Sequence, residues 1–388
     1  MPDWRRFRCN DGNQWQFGGL VRIQQGGDTD RLFSATYSDA RANFLQACLQ
    51  AKVSVSHHMH ALKGPSGEVL ATDVARIGPD DAPDVVVVVS ATHGAEGYAG
   101  SGIQIGLLET MPGNLAPGQA AVLIHAINPH GFAWTRRVNE DNVDLNRNFV
   151  DHEGGHYPEN DLFERLADHI IPAQWDEESI ARCLAAREAI AIEVGEIAVR
   201  KAIGKGQYHH PNNVHYGGRF ATWSNRVLHA VCKAELGRAR RAILVDVHTG
   251  LGPYGYGELM TPAKLDDPVF KMLKTCFGDE VHSTTTATTA YSGSKGSILA
   301  GFRPAVEGLL YAGVGVEYGT RERSAVRRAV DADTWLQQHG NPASPLGLQI
   351  KKDLRDVFYP EESAWKKAVW ERGREVVRMS FDGLSALH

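Results

Sequence analysis

Short apolar runs alternate with longer segments of helical periodicity along most of this chain. The clearest run is Asp84-Val-Val-Val-Val-Val-Ser90, five consecutive β-branched residues. A run without polar alternation reads as a strand buried on both faces, as in a parallel sheet. Residues 121–127, 242–248 and 309–318 predict three further strands. Residues 38–49, 97–110 and 222–236 predict helices, the second ended by Met111-Pro-Gly, and helices fill most of 322–388. Asn128-Pro-His-Gly reads as a turn. Strands alternating with helices in this way predict an α/β fold with a mostly parallel or mixed sheet. Residues 151–220 differ in character: a long polar helix over about 176–203 precedes the loop Tyr208-His-His-Pro-Asn-Asn-Val-His-Tyr-Gly-Gly218. This segment predicts an insertion over a site within a single domain spanning 1–388, not a second domain.

Composition narrows the classes of function. The chain has 388 residues, 43% hydrophobic and 22% charged, with a net charge of −5. That balance argues against nucleic acid or an anionic membrane as a partner. No segment approaches the roughly 20 apolar residues of a membrane span, and the N-terminus lacks the apolar core of a secretory signal. The five cysteines, Cys9, Cys48, Cys183, Cys232 and Cys276, are widely spaced without a CxxC pair. They predict reduced thiols in a cytoplasmic protein.

The candidate chemistry lies where strands end. His93-Gly-Ala-Glu96 follows the valine run, with Gly94 and Gly97 around it. An imidazole and a carboxylate three residues apart on a tight turn can face one point, and zinc takes both ligand types at about 2 Å. A pair of this kind is also an ordinary surface ion pair. Asp246-Val-His248 closes a second strand and Glu317 a third, and open α/β sheets place their sites at the carboxyl ends of strands. Two histidines, one glutamate and an open fourth position form a catalytic zinc pattern. The polar stretch 128–149 carries Arg136, Arg137 and Arg147, whose planar guanidinium groups suit a carboxylate or an oxyanion.

The order of motifs is a resemblance in itself: HxxE after a buried strand, then Asn128-Pro-His-Gly-Phe132, then Asp144-Leu-Asn-Arg-Asn-Phe149, then His248, then Glu317. The chain resembles the zinc carboxypeptidases, the M14-type metallopeptidases, and most closely a bacterial branch with a DUF2817-type domain. The hallmarks of that branch are similar to Ala35 to Arg41, His93-Gly-Ala-Glu-Gly97, Arg137 to Phe149, and His248-Thr-Gly-Leu-Gly-Pro-Tyr-Gly255. The resemblance implies a mixed eight-stranded sheet flanked by helices, of phosphorylase/hydrolase type. It implies a zinc ion on His93, Glu96 and His248, with Asp144 orienting His93. It implies Glu317 as general base and then acid, Arg137 as the oxyanion donor with Arg136 as the alternative, and Asn146 and Arg147 on a substrate carboxylate. Tyr291 stands in the order of the family's mobile tyrosine. Metallocarboxypeptidase activity on peptide C-termini is the first reading. Related deacylases with the same zinc core act on N-acyl amino acids and lack that tyrosine, which gives a second. A zinc-containing binding protein without turnover is a third.

Other signals carry less. Gly250-Leu-Gly-Pro-Tyr-Gly255 matches GxGxxG after a strand, but glycine and proline stand where the dinucleotide helix would begin. His57, His58 and His60 precede a turn and read as solvent-facing. His209, His210 and His215 are candidates to reach the site from the insertion. No GxSxG elbow or P-loop occurs.

Overall fold

The valines of the 84–90 run divide by face. Val86 and Val88 join one buried apolar cluster, and Val85, Val87 and Val89 join another on the opposite side of the sheet. Both faces of this strand are dry, so its sequence has no polar alternation. The computed structural model describes residues 29–286, 295–301 and 308–387. In chain order the strands are β1 Val55–Lys63, β2 Val69–Ile77, β3 Asp84–Val89, β4 Gln119–His125, β5 Arg241–Tyr254, β6 Gly257–Thr261, β7 Val281–Ser283 and β8 Leu310–Gly319. They form one eight-stranded sheet in the order β1-β2-β4-β3-β5-β8-β6-β7. The four central strands β4, β3, β5 and β8 are mutually parallel, while β2 and β6 run antiparallel to them at either side. The sheet is therefore mixed and flanked by helices, as expected.

The helices used below are α1 Tyr37–Ala51, α2 Gly97–Thr110, α3 Pro129–Ala133, α4 Asp161–Leu166, α5 Glu177–Val194, α6 Glu196–Lys205, α7 Trp223–Leu236, α8 Pro268–Phe277, α9 Ile298–Gly301, α10 Arg323–His339, α11 Pro345–Phe358 and α12 Ser363–Ala386. α1, α2, α8 and α12 cover one face of the sheet, with Phe44, Ile103, Phe277 and Trp365 in its core. α7 covers the other with Leu228, Val231 and Leu236. Thr36 caps α1 and Thr222 caps α7 through their side-chain oxygens, which fixes both starts.

The structure corrects three local expectations. The helix expected over about 176–203 is two helices, broken at Gly195, whose φ of 90° no helical residue adopts. Asn128-Pro-His-Gly opens the short helix α3: Asn128 accepts from the Gly131 amide, and Pro129 lacks the N–H that a first turn leaves unpaired. The GxGxxG match opens no helix, in line with its glycine and proline, and residues 250–254 extend strand β5. His57 and His60 lie on β1, where His57 Nδ1 sits 2.5 Å from the buried Asp73 and His60 Nε2 sits 3.2 Å from Glu140. The His60 side chain is only 4% exposed, so it does not face solvent.

No helix among the described residues is long and apolar enough to cross a membrane. Cys48, Cys183, Cys232 and Cys276 are free thiols, and Cys9 lies outside the described residues.

One buried histidine makes stability depend on pH. His125 at the end of β4 is fully buried, stacks on Phe44 at 4.5 Å between ring centroids, and has Ser101 Oγ 2.9 Å from Nε2. Burial pushes its pKa down to about 4. The unfolded chain, with His near 6.5, therefore binds a proton that the folded chain refuses between these values. The stability is fully present above pH 6.5 and is lost as pH falls through 4, a loss of about 3 kcal/mol from this group. Unfolding free energies measured across that window will fall more steeply for the wild type than for His125→Gln. Equal slopes would contradict the assignment.

Candidate active site

The parallel strands deliver the chemistry to one edge of the sheet. β3 ends at Val89, which pairs with Asp246 of β5, and Asp246 pairs in turn with Gly315 of β8. Two residues further along, His248 lies beside Glu317. After β3 the chain turns through Ala91, with φ of 60°, and presents His93 in extended conformation before the single 3-10 turn Gly94–Glu96. Only glycine fits at position 94, because a Cβ there would lie 1.9 Å from the backbone of Gly131. The amides of Gly94 and Ala95 donate to the carbonyls of Arg137 and Arg136. The turn that presents His93 and Glu96 is thereby bonded to the segment carrying the two arginines.

His93, Glu96 and His248 are all buried, and each offers a ligand atom within 4.8 Å of the others. Both Nδ1 atoms converge on one carboxylate: His93 Nδ1 is 2.9 Å from Glu96 Oε1, and His248 Nδ1 is 2.9 Å from Glu96 Oε2. Each Nε2 meets a carboxylate of its own, Asp144 at 3.1 Å from His93 and Asp246 at 2.6 Å from His248. An outer carboxylate of this kind fixes the tautomer and orientation of a ligating imidazole and leaves the inner nitrogen free for a metal. Asp246 is itself held by the Thr92 hydroxyl at 2.6 Å, and Asp144 by the Asn146 amide at 2.9 Å.

Electrostatics favour a cation at this point. Burial works to raise the pKa of Glu96, but the His93 and His248 imidazoles outweigh it and hold the carboxyl well below its usual range. Burial likewise disfavours a charged His248, yet Asp246 and Glu96 push its pKa well above the ordinary histidine value. Three buried carboxylates around two imidazoles thus retain a proton where a divalent cation would neutralise more charge. Two imidazole nitrogens and one carboxylate are the donors zinc takes when a coordination position is left open. The residues fit the ion.

Glu317 stands beside this set. Burial, and then the charge of Glu96, push its pKa up to about 7. Its Oε1 accepts from the Leu251 amide at 2.9 Å. A carboxyl poised near neutrality suits proton transfer at physiological pH. Arg137 spans the cluster, with its terminal nitrogens 3.2 Å from Glu96 Oε1 and 2.9 Å from His93 Nε2. Arg136 turns away to Asn142 Oδ1, at 2.9 Å, and to Asp333.

Arg147 is buried, and its terminal nitrogens donate to the carbonyls of Asn146 and Gly204 at 2.8 and 2.6 Å. Its Nε has no hydrogen-bond partner among the described residues. Burial pulls its pKa down and outweighs the opposing charge of Asp144. The Asn146 amide nitrogen lies 3.1 Å from His248 Nε2, while its oxygen accepts from the Ile298 amide at 3.0 Å. The side chain of Asn146 is thus engaged with the metal-ligating set and α9. Tyr291 lies outside the described residues.

A cavity of about 310 Å³ opens onto these groups, lined by His93, Glu96, Arg137, Arg147, His248 and Glu317 among others. The 151–220 segment supplies one wall through Arg200, Lys201, Gly204 and His215. Of the three histidines singled out there, His215 reaches the site, with Nδ1 3.2 Å from Asp144 Oδ2. His209 and His210 pair with Glu164. The motifs assign no role to Asp246 or to the cations of α6 and α10. Asp246 does carry a local signal, because residues i and i+2 of a strand share a face, which puts it beside His248. The helix cations depend on how two helices pack, which carries no local signal.

No curated protein matches the chain. Among solved structures it is similar to carboxypeptidase A from Helicoverpa armigera, at 14% identity over 84% of this chain and 75% of that one, with a TM-score of 0.41. It is similar also to bovine thrombin-activatable fibrinolysis inhibitor, in complex with tick carboxypeptidase inhibitor, at 12% identity over 89% and 98% of the two chains and a TM-score of 0.42. A third is a metallo-carboxypeptidase from Pseudomonas aeruginosa, at 13% identity over 86% and 68% and a TM-score of 0.38. The sequence profile of the family described as "Protein of unknown function (DUF2817)" matches residues 33–372. That match spans most of the chain, and the protein belongs to the DUF2817 family.

Proposed function

We propose that this protein is a zinc-dependent hydrolase that cleaves an amide bond next to a free carboxylate. The observation that carries the reading is the convergence of His93 Nδ1, His248 Nδ1 and Glu96 beside a glutamate whose pKa lies near neutrality. His93, Glu96 and His248 would hold the zinc, which supplies Lewis acidity that polarises a carbonyl and acidifies water. Asp144 and Asp246 orient the two imidazoles. Arg147, a buried guanidinium with no ion-pair partner among the described residues, binds the substrate carboxylate. Arg137 lies over the cluster to hydrogen-bond the oxyanion as it forms, an interaction worth roughly 10²–10³ in rate. Glu317 takes the proton of the attacking water at its carboxylate. The water oxygen bonds to the acyl carbon, the C–N bond breaks, and Glu317 returns the proton to the departing amine.

Two substrate classes fit this chemistry: peptides with a free C-terminus, and N-acyl amino acids. The wall contributed by residues 151–220 favours compact acyl amino acids, because it narrows the cavity beside Arg147, which donates to the Gly204 carbonyl. We further propose that 1–388 acts as one catalytic unit bearing this segment as an insertion, in a reducing cytoplasmic compartment.

A mass-spectrometric screen of both classes with zinc-loaded protein tests the reading. The expected result is hydrolysis of substrates with a free carboxylate and none of the same compounds blocked as C-terminal amides. Turnover of the blocked compounds at equal rate excludes the Arg147 role. Zinc binding with no turnover of any compound points instead to a binding protein.

A further inference from the structure

The cavity carries more positive charge than an amide with one carboxylate requires. Beyond Arg137 and Arg147 it is lined by Arg200 and Lys201 of α6 and by Arg323 and Arg327 of α10. Among the described residues only two carboxylates, Glu96 and Glu317, share that lining, in a chain of net charge −5. Positive charge is thus gathered here against the trend of the whole molecule.

The α6 cations stand apart from their neighbours. Three arginines of the inserted segment have acid partners, Arg165 with Glu193, Arg182 with Glu178, and Arg187 with Asp331, while Arg219 donates to the Tyr208 carbonyl. Arg327 of α10 is paired with Asp331 at 2.7 Å. Arg200 and Lys201 are exposed, and neither has an ion-pair partner among the described residues. Their direction is set by packing. Val199, Ala202 and Ile203 bury one side of α6 in an apolar cluster with Phe163 and Leu166 of α4 and Ile190 and Ala191 of α5. At 100° per residue the opposite side carries positions 200, 201 and 204, and all three line the cavity. The Gly204 carbonyl accepts from Arg147, so these two cations share the helix face on which Arg147 rests.

We propose that the substrate carries a second carboxylate close to the one held at Arg147. The enzyme then acts on amides of acidic amino acids, releasing glutamate or aspartate, and Arg200 and Lys201 recognise the side-chain carboxylate of the released residue. This rests on the hydrolase reading above. An acidic side chain beside Arg147 gives both cations a partner inside a partly enclosed cavity, where screening by water is reduced. A neutral side chain of the same shape leaves both without one.

Matched substrates separate charge from shape: acetyl-Ala-Ala-Glu against acetyl-Ala-Ala-Gln, and N-acetylglutamate against N-acetylglutamine. The expected kcat/KM ratio favours the acidic member by about tenfold or more at low ionic strength, the size expected of two part-exposed ion pairs, and shrinks as salt is added. In the double variant Arg200→Gln, Lys201→Gln the ratio falls to about one, whereas Arg165→Gln, on the outer surface of the segment, keeps it. A wild-type ratio near one, or a ratio unmoved in the double variant, overturns the inference and leaves the hydrolase reading standing. If none of the four compounds is hydrolysed, that reading fails for these classes, and calorimetry with free glutamate and free glutamine decides the recognition claim. Tighter binding of glutamate that is lost in the double variant upholds it, and equal binding overturns it.

Discussion

Glu317→Gln is expected to reduce turnover by roughly 10²–10⁴, the contribution of a positioned general base, without unfolding the protein. The substitution keeps the shape of the side chain and an oxygen to accept from the Leu251 amide. It removes the group that takes the proton from water. The same substitution has a second consequence, of defined sign. In metal-free protein Glu317 has a pKa raised to about 7, against 4.5 for the ordinary carboxyl. The folded state therefore binds a proton more tightly than the unfolded state. That contribution to stability is present below pH 4.5 and is lost as pH rises through 7. The glutamine variant carries no such loss, so above pH 7 it should unfold at the same temperature as the metal-free wild type or higher. Inactivity with undiminished stability separates a catalytic role from a structural one. Turnover near the wild-type rate in this variant would remove Glu317 from the mechanism.

The second large effect is expected of His93→Ala. His93 is one of two imidazoles that face Glu96, and it also sits between Asp144 and the cluster. Its loss removes one of the three proposed zinc ligands and brings Glu96 and Asp144, both buried, close without the imidazole between them. Removing one partner of a buried charged set costs about 3–5 kcal/mol, so this variant should also be less stable. The specific readout is the response to metal. A ligand that binds only the folded state stabilises it by about 4 kcal/mol at a thousandfold excess over Kd. Zinc should therefore raise the melting temperature of metal-free wild type by several degrees and leave that of His93→Ala unmoved. A variant that melts early yet still responds fully to zinc would place the metal elsewhere.

The parts of this site that were legible in the sequence are those fixed by strands. The valine run could only be a strand dry on both faces. His93, His248 and Glu317 could then be placed at strand ends from the chain order alone. Parallel register put them at one edge of the sheet, and His248 and Glu317 side by side. The order of motifs added the roles, which residue types alone left open. Contacts made across the chain were not legible. Arg136 and Arg137 are neighbours in sequence, and only the hydrogen bonds from the Gly94–Glu96 turn to their carbonyls decide which guanidinium reaches Glu96. Gly195 falls inside the helix expected over 176–203, because a single glycine weakens a helical pattern without ending it. The direction of the α6 cations follows only from the packing of Val199, Ala202 and Ile203 in one apolar cluster with residues of α4 and α5.

Residues of the 151–220 segment and of α10 line the cavity beside His93, Glu96, His248 and Glu317, so under the proposed function they shape what surrounds the reacting bond.

Metal content tests the central claim most directly. Elemental analysis of the purified protein, after dialysis against zinc and then against metal-free buffer, should return close to one zinc per chain in the wild type. The same treatment should return almost none in His93→Ala and in His248→Ala. A wild type that retains no zinc, or ligand variants that retain as much as the wild type, would contradict the account.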